Sequence, residues 1–390
     1  LIRYFLMSVK VLMLDLVSEW GGAQHSLYDA CVSLSRLGVE PVAAVPQGPL
    51  FDRLTTAGIT VFPVSPLRAH RRGFALFTTA AKLLRAPATV SQILKVVKPD
   101  IIHCNSLQAF LAVRGHHAKT PLIWHVRDLK MPVALARDAA KKAARLFAVS
   151  EAVDEYLVEI LPQKHLGRIR VVRNGIDLQR FGQTCRVEAR SRFGLPPDAP
   201  IVGMIAHLAP WKRHDAFIRT AARIRARQPD AHFVSVGRDL FGENTRWRTQ
   251  LNAEVEKERL SECFHWVTDL DQAETILPAF DVLVHPALRE PFGRVICEAM
   301  ASGVPVVAAE SGGPATLIRQ QVTGVLVRDG DEEGMADAAL ALLADRVRAS
   351  QIADAARAFV QEHHAIEQTA EQLLKEYHSL LASETGRYET

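Results

Sequence analysis

Cysteine is scarce and scattered. The chain has five, Cys31, Cys104, Cys185, Cys263 and Cys297, and no C-x-x-C pair. An odd, dispersed set of this kind indicates neither a disulfide framework nor a zinc site, and it fits a reducing cytosol. Charge of one sign is lacking as well: Lys plus Arg number 47 against 43 Asp plus Glu, too small an excess to argue for nucleic acid as a partner. No apolar run approaches the ~20 residues needed to span a bilayer. The opening "LIRYFLMSVKVLMLDLV" is basic and apolar, but Lys10 and Asp15 bracket an apolar run of only Val11 to Leu14, and no small-residue cleavage site follows. It reads as a first buried strand, with residues 1–6 expected to be extra to the folded unit. The G-x-G-x-x-G fingerprint of nicotinamide dehydrogenases is also missing.

What remains is 390 residues of ordinary globular composition, 48% hydrophobic and 23% charged, long enough for two domains. Short apolar runs alternate with helical patterns throughout, the signature of βαβ units around a parallel sheet. The pattern occurs twice. Strands are expected at 9–16, 39–45, 59–62, 100–103, 121–125, 146–149 and 169–173, then at 201–206, 231–236, 263–267, 281–285, 304–308 and 322–327. Between the halves, residues 174–200 carry turn signals at Asn174-Gly175 and Pro196-Pro197 and no strand, and read as a hinge region. The fold class expected is α/β: two facing Rossmann-like, doubly wound domains with an interdomain cleft, ligands lying beyond the carboxyl ends of the strands.

The residues just after each strand therefore carry the chemistry. After 9–16, Gly21 and Gly22 stand where a helix to about Leu37 begins, and paired glycines there admit an anion to backbone N–H groups; a plain βα turn explains them equally. After 121–125, "WHVRD" puts His125, Arg127 and Asp128 at a strand end, His125 being either a ligand-facing donor or a satisfied local histidine. After 201–206, "HLAPWKRHD" gathers His207, Lys212, Arg213 and His214, cations suited to a diphosphate or a solvated basic loop. After 281–285, "REPFGRVICEAM" holds Glu290 in a loop and Glu298 inside a helix of about 293–302. The five residues from Gly293 to Glu298 advance ~7.5 Å along that helix, so the two carboxylates are offset as if along one long ligand. The N–H groups of Phe292, Gly293 and Arg294, at the helix start, face the same space. Glu298 lies among Val295, Ile296, Ala299 and Met300, where an unpaired carboxylate is costly, so a hydroxyl-rich ligand is its expected partner.

At this point the sequence resembles the retaining GT-B glycosyltransferases of the family-4 type. Glu290 and Glu298 match the family's E-x7-E motif, and "EPFGRVICEAMASGVPVVAAESGG", "GGAQHSL", "AVSEAVDEYL", "VVRNGIDLQRF" and "HLAPWK" follow its pattern in order to about residue 345. The resemblance implies an acceptor-side domain over 7–175, a nucleotide-sugar domain over 176–365, and a last helix, 366–383, returning to the first domain. It implies a nucleotide-diphosphate sugar, UDP- or GDP-linked, as substrate, with no cofactor. Glu298 would hold the ribose; Glu290 and the N–H groups after it the sugar; Lys212 the diphosphate; Gly22 the phosphate from across the cleft; His125 the far side of the sugar. The leaving phosphate would take the acceptor's proton in a front-face, retaining transfer. One departure stands out: His207 occupies the place of the family's usual Arg, with Arg213 or Arg294 as possible compensation.

The acceptor side is marked by "LRAHRRGFALFTTAAKLLR", 67–85, where Arg68, Arg71, Arg72, Lys82 and Arg85 alternate with Phe74, Leu76, Phe77, Leu83 and Leu84. This suits peripheral contact with an anionic inner membrane face carrying a glycan or lipid-linked acceptor, or equally a packed helix with a solvated basic face. No metal is expected, since no Asp-x-Asp follows the strands that carry these loops. The competing readings are a nucleotide-sugar epimerase of the same fold and a non-catalytic nucleotide-sugar-binding subunit.

Overall fold

A computed structural model describes residues 8–67, 88–113, 115, 120–242, 244–268 and 272–385. These divide into two compact units: one holds the described residues up to Gly175 and those from Ile366 onward, the other Ile176–Ala365. The segment expected at 67–85 lies, apart from Leu67, outside the described residues.

The first unit is built on seven strands, β1 (Lys10–Leu14), β2 (Glu40–Val45), β3 (Thr60–Pro63), β4 (Ile101–Cys104), β5 (Leu122–Val126), β6 (Arg145–Ala148) and β7 (Ile169–Val171), in the order β3-β2-β1-β4-β5-β6-β7. Every pairing is parallel. The inner strands are apolar runs because helices cover both faces. Val11, Leu12, Met13 and Leu14 are fully buried. The helix Ile366–Thr385 supplies Ala370, Leu373, Tyr377 and Leu380, at three- and four-residue spacing, to the same core. It packs along the helix Gly22–Arg36.

The second unit has six parallel strands, β8 (Ile201–Ile205), β9 (His232–Val236), β10 (Phe264–Val267), β11 (Val282–His285), β12 (Val306–Ala309) and β13 (Val325–Val327), ordered β10-β9-β8-β11-β12-β13. In each sheet the order reverses once, between β1 and β4 and between β8 and β11. In doubly wound sheets ligands bind beyond the carboxyl ends of such a pair.

All thirteen expected strands form. The expected start of the last, 322–327, is too early: Gln321 takes a left-handed φ of 64° and Gln320 bridges Gly324, so Val322 is in a turn and exposed. The stretch 174–200 is not a bare hinge either. It contains the helix Arg186–Arg192, whose Arg190 is buried against Asp281.

Candidate functional site

In the second unit, the loops after β8 and β11 meet at the switch point. A single 3-10 turn, Pro210–Lys212, follows β8 and ends at Arg213, whose left-handed φ of 59° turns the chain into the helix His214–Arg227. This swings Lys212 inward. Its Nζ is 2.5 Å from Glu290 Oε2 and 4.1 Å from the centre of the Trp211 ring. His285, the last residue of β11 and wholly buried, puts Nε2 3.3 Å from the same oxygen. Burial alone would push the Glu290 carboxyl up, but Lys212 and His285 hold it well below the usual carboxylate range.

The sequence reading gave Lys212 to a diphosphate and Glu290 to a sugar as separate groups. The structure joins them in one buried ion pair, because an ammonium and a carboxylate brought out of water satisfy each other. The backbone of Glu290 is fixed as well: Gly313 N donates to its carbonyl at 2.7 Å. A Cβ at Gly313 would come within 2.3 Å of the Phe292 carbonyl oxygen, so glycine is required there.

The next helix, Arg294–Ala301, starts from Gly293 at φ 95°, a left-handed conformation that favours glycine. Phe292 is buried against the His364 ring, so any ligand contact from it falls to its backbone. Glu298 is not the unpaired carboxylate anticipated. Its Oε1 accepts from Arg294 Nε at 2.8 Å, one helical turn back. Burial still raises its pKa, against the pull of Arg294 and Arg180.

Two further expectations change. His207, the candidate partner of the diphosphate, is neutral near pH 7: burial and then Lys212 push it down to about 4, with Glu290 and Asp239 opposing. Its ring meets Trp211 and Phe241 edge-on, at 5.7 and 6.4 Å. Arg213 is drawn to Asp215 (3.3 Å) and Glu332 (3.6 Å), both acidic groups at helix starts, and pairs there. Asp-x-Asp sequences do follow two other strands. Asp269 and Asp271 lie outside the described residues, and Asp331 caps the helix Glu332–Ala344. Among the described residues no cluster of three acidic, histidine or cysteine side chains is placed to hold a metal.

The first unit gathers a different polar set. Gly21 precedes the helix Gly22–Arg36 with an extended backbone that any residue could adopt, and a Cβ at Gly22 would meet nothing within 4 Å. Neither the backbone there nor the packing around Gly22 demands glycine. Behind them, Asp15 at the end of β1 accepts from Leu16 N (2.7 Å), Gln24 Nε2 (2.9 Å) and Asn105 Nδ2 (2.8 Å). Arg127 then donates to Asn105 Oδ1 and Asn174 Oδ1, both at 2.7 Å. His125 is buried among these groups. Arg127 donates to its Nδ1 from 3.3 Å, and His103 Nε2 is 3.0 Å from the same nitrogen. The reading by strand ends found His125 and Arg127 and passed over Asp15, Asn105 and Asn174. Asp15 and Asn105 were available to the same rule, each following a strand run directly, whereas Asn174 follows Arg173 and reads only as a turn residue.

The two doubly wound units, each with its polar residues at a topological switch point, define a two-domain GT-B fold. Comparison with known proteins places the chain within that class. Residues 20–180 match the glycosyltransferase family 4 model and 186–359 the glycosyl transferases group 1 model. The chain belongs to the group 1 glycosyltransferases. It is similar to a D-inositol 3-phosphate glycosyltransferase of Catenulispora acidiphila, 34% identical over 45% of this chain and 43% of the relative. It also resembles a lipopolysaccharide core biosynthesis mannosyltransferase of Rhizobium meliloti, 30% identical over 54% and 61%. The chain spans about half the length of the first curated relatives it matches. Among solved structures, HepE of Anabaena in complex with UDP-glucose superposes with a TM-score of 0.82 at 24% identity, covering 95% of this chain and 99% of that one. Sucrose-phosphate synthase of Thermosynechococcus elongatus gives 0.82 at 20% identity, covering 96% and 100%.

Proposed function

We propose that this protein transfers a sugar from a nucleotide-diphosphate sugar to a hydroxyl acceptor. The observation that carries the reading is the buried Lys212–Glu290–His285 group at the second unit's switch point, with Glu298 one turn along the adjoining helix. A diphosphate entering there would compete with Glu290 for Lys212, freeing the Glu290 carboxylate for sugar hydroxyls, while Glu298 faces the ribose. The two states differ in which anion Lys212 neutralises, and in the second the Glu290 carboxylate relies on His285 and the sugar hydroxyls for its hydrogen bonds. His125 and the Gly21–Gly22 helix start would serve the sugar and phosphate from the first unit.

The course is taken as retaining, as the resemblance to the family-4 type implies. The bond from anomeric carbon to diphosphate oxygen breaks, and a bond to the acceptor oxygen forms on the same face. The acceptor's proton passes to the departing phosphate. Similarity to an inositol-phosphate glycosyltransferase and a lipopolysaccharide mannosyltransferase supports an acceptor in bacterial-type glycan, lipopolysaccharide or glycolipid assembly. HepE was solved in complex with UDP-glucose, which supports UDP as the first base to try, with GDP next. The donor is taken as substrate, with no metal or other cofactor. Peripheral action at the cytoplasmic face of a membrane fits the basic, apolar composition of 67–85. Among the described residues no helix is long and apolar enough to cross a bilayer.

Calorimetric titration with UDP, GDP, UDP-glucose and GDP-mannose, in EDTA, tests the proposal. One nucleotide should bind, and Glu298→Gln should weaken it about tenfold, the loss of a hydrogen bond to a charged group. Glu290→Gln should weaken the sugar nucleotide far more than the free diphosphate. Absence of binding by every donor, or binding that needs magnesium, would overturn the assignment.

A further inference from the structure

His125 ends in an opening of the first unit lined by Ser26, Arg127, Asn174 and Thr369. Its Nε2 is buried there and has no hydrogen-bond partner. Which atom of the ring carries the proton decides what it offers, and the neighbours settle that point. A guanidinium can only donate, so the Arg127 contact at 3.3 Å requires a lone pair on His125 Nδ1. His103 Nε2, 3.0 Å from the same Nδ1, must then be an N–H that donates to it. A neutral His103 has one N–H, which leaves a lone pair on its Nδ1. That nitrogen is 2.7 Å from the hydroxyl of Tyr377, on the helix Ile366–Thr385, and accepts from it.

Both rings are neutral. Burial, then Arg127, holds His103 down to about 3 and His125 well below the usual histidine range, with the backbone of Val172 pulling His125 the other way. From the polarity of this chain of contacts we infer that Tyr377 and His103 are positioning residues that fix His125 as its Nε2–H tautomer. His125 thus presents an N–H to the opening. It suits an acceptor oxygen, such as a sugar hydroxyl oxygen or a phosphate oxygen, and it cannot take a proton from an attacking hydroxyl. That the occupant is a sugar nucleotide rests on the function proposed above; the tautomer does not.

Nitrogen-15 NMR of the histidine-labelled protein reads the tautomer directly, the His125 signals being assigned by their loss in His125→Gln. The expected spectrum shows His125 protonated at Nε2 and bare at Nδ1 throughout pH 6 to 8. Tyr377→Phe keeps the ring and removes the hydroxyl, so both imidazoles should become mixtures of tautomers, with a fall in turnover of about fivefold and little change in donor KM. His103→Gln, whose amide can donate to His125 and accept from Tyr377, should preserve the tautomer, whereas His103→Leu should not. A wild-type His125 protonated at Nδ1, or a tautomer indifferent to Tyr377→Phe in a protein of unchanged melting temperature, would overturn the inference. Should the tautomer be as stated while no donor binds, the proposed function fails and this inference stands.

Discussion

Glu290 is charged in a place where burial disfavours charge, and the balance depends on Lys212 and His285. Its folded pKa is depressed, so the pair contributes stability that is fully present above the unfolded value, ~4.3, and is lost as pH falls below it. Lys212→Met removes the compensating charge and should cost about 3–5 kcal/mol in urea unfolding at pH 7. The double change Lys212→Met with Glu290→Gln should cost much less. Equal losses for the single and double variants would mean that the pair is not coupled. His207 makes a contrasting case. Neutral in the unliganded protein, it should give nucleotide-diphosphate affinity no histidine-dependent rise between pH 8 and 6, and His207→Gln should keep most of that affinity. A tenfold strengthening toward pH 6 that His207→Gln abolishes would show instead that a bound diphosphate charges the ring.

Among the elements, the helix Arg186–Arg192 shows why part of the fold was not legible in the sequence. Strands announce themselves as apolar runs, and all thirteen were readable in order. "RVEARSR" has no apolar period, and its place is set by ionic contacts to a residue about ninety positions away. Arg190, 1% exposed, donates to Asp281 Oδ2 at 2.9 Å and to the carbonyls of Ala279 and Pro197. Arg186 and Arg346 meet the other oxygen at 2.6 and 2.5 Å, and Ile201 N donates to Oδ2 at 2.7 Å. Asp281 so ties this helix to β8 and to the helix Arg346–His363. Burial raises its pKa, but Arg346, the Ile201 amide and Arg186 outweigh it and leave the carboxyl below its ordinary value. Its contribution is present above ~3.9 and lost as pH falls below that. Asp281→Ala should cost about 3–5 kcal/mol at pH 7, and the deficit against wild type should shrink toward pH 3 in urea titrations. A deficit independent of pH would assign the loss to packing rather than charge. The candidate site was legible to a similar degree. Glu290, Glu298, Lys212 and His125 follow from motif and strand ends, whereas His103 and Tyr377, 274 positions apart, are joined only by folding.

The whole chain leaves the first unit after Gly175, completes the second as one continuous stretch, and returns at Ile366. The second unit therefore contains its own sheet and core from a single segment, and the first depends on both ends. Leu373, Tyr377 and Leu380 are each at most 1% exposed and belong to the core that includes Val11, Met13, Leu27 and Phe147. Burying a side chain of this size contributes about 1.5–3 kcal/mol, so the three together match much of the ~5–15 kcal/mol by which a domain is stable. Ending the chain after Ala365 should unfold the first unit alone. Hydrogen exchange should then show the amides of β1 and β5 unprotected and those of β8 and β11 protected as in the full chain, and the fragment 176–365 should fold by itself. If β1 remains protected without the last helix, Ala370, Leu373, Tyr377 and Leu380 cover the first unit without sustaining it. Collapse of both units together would show that the second is not self-sufficient, despite its continuous segment.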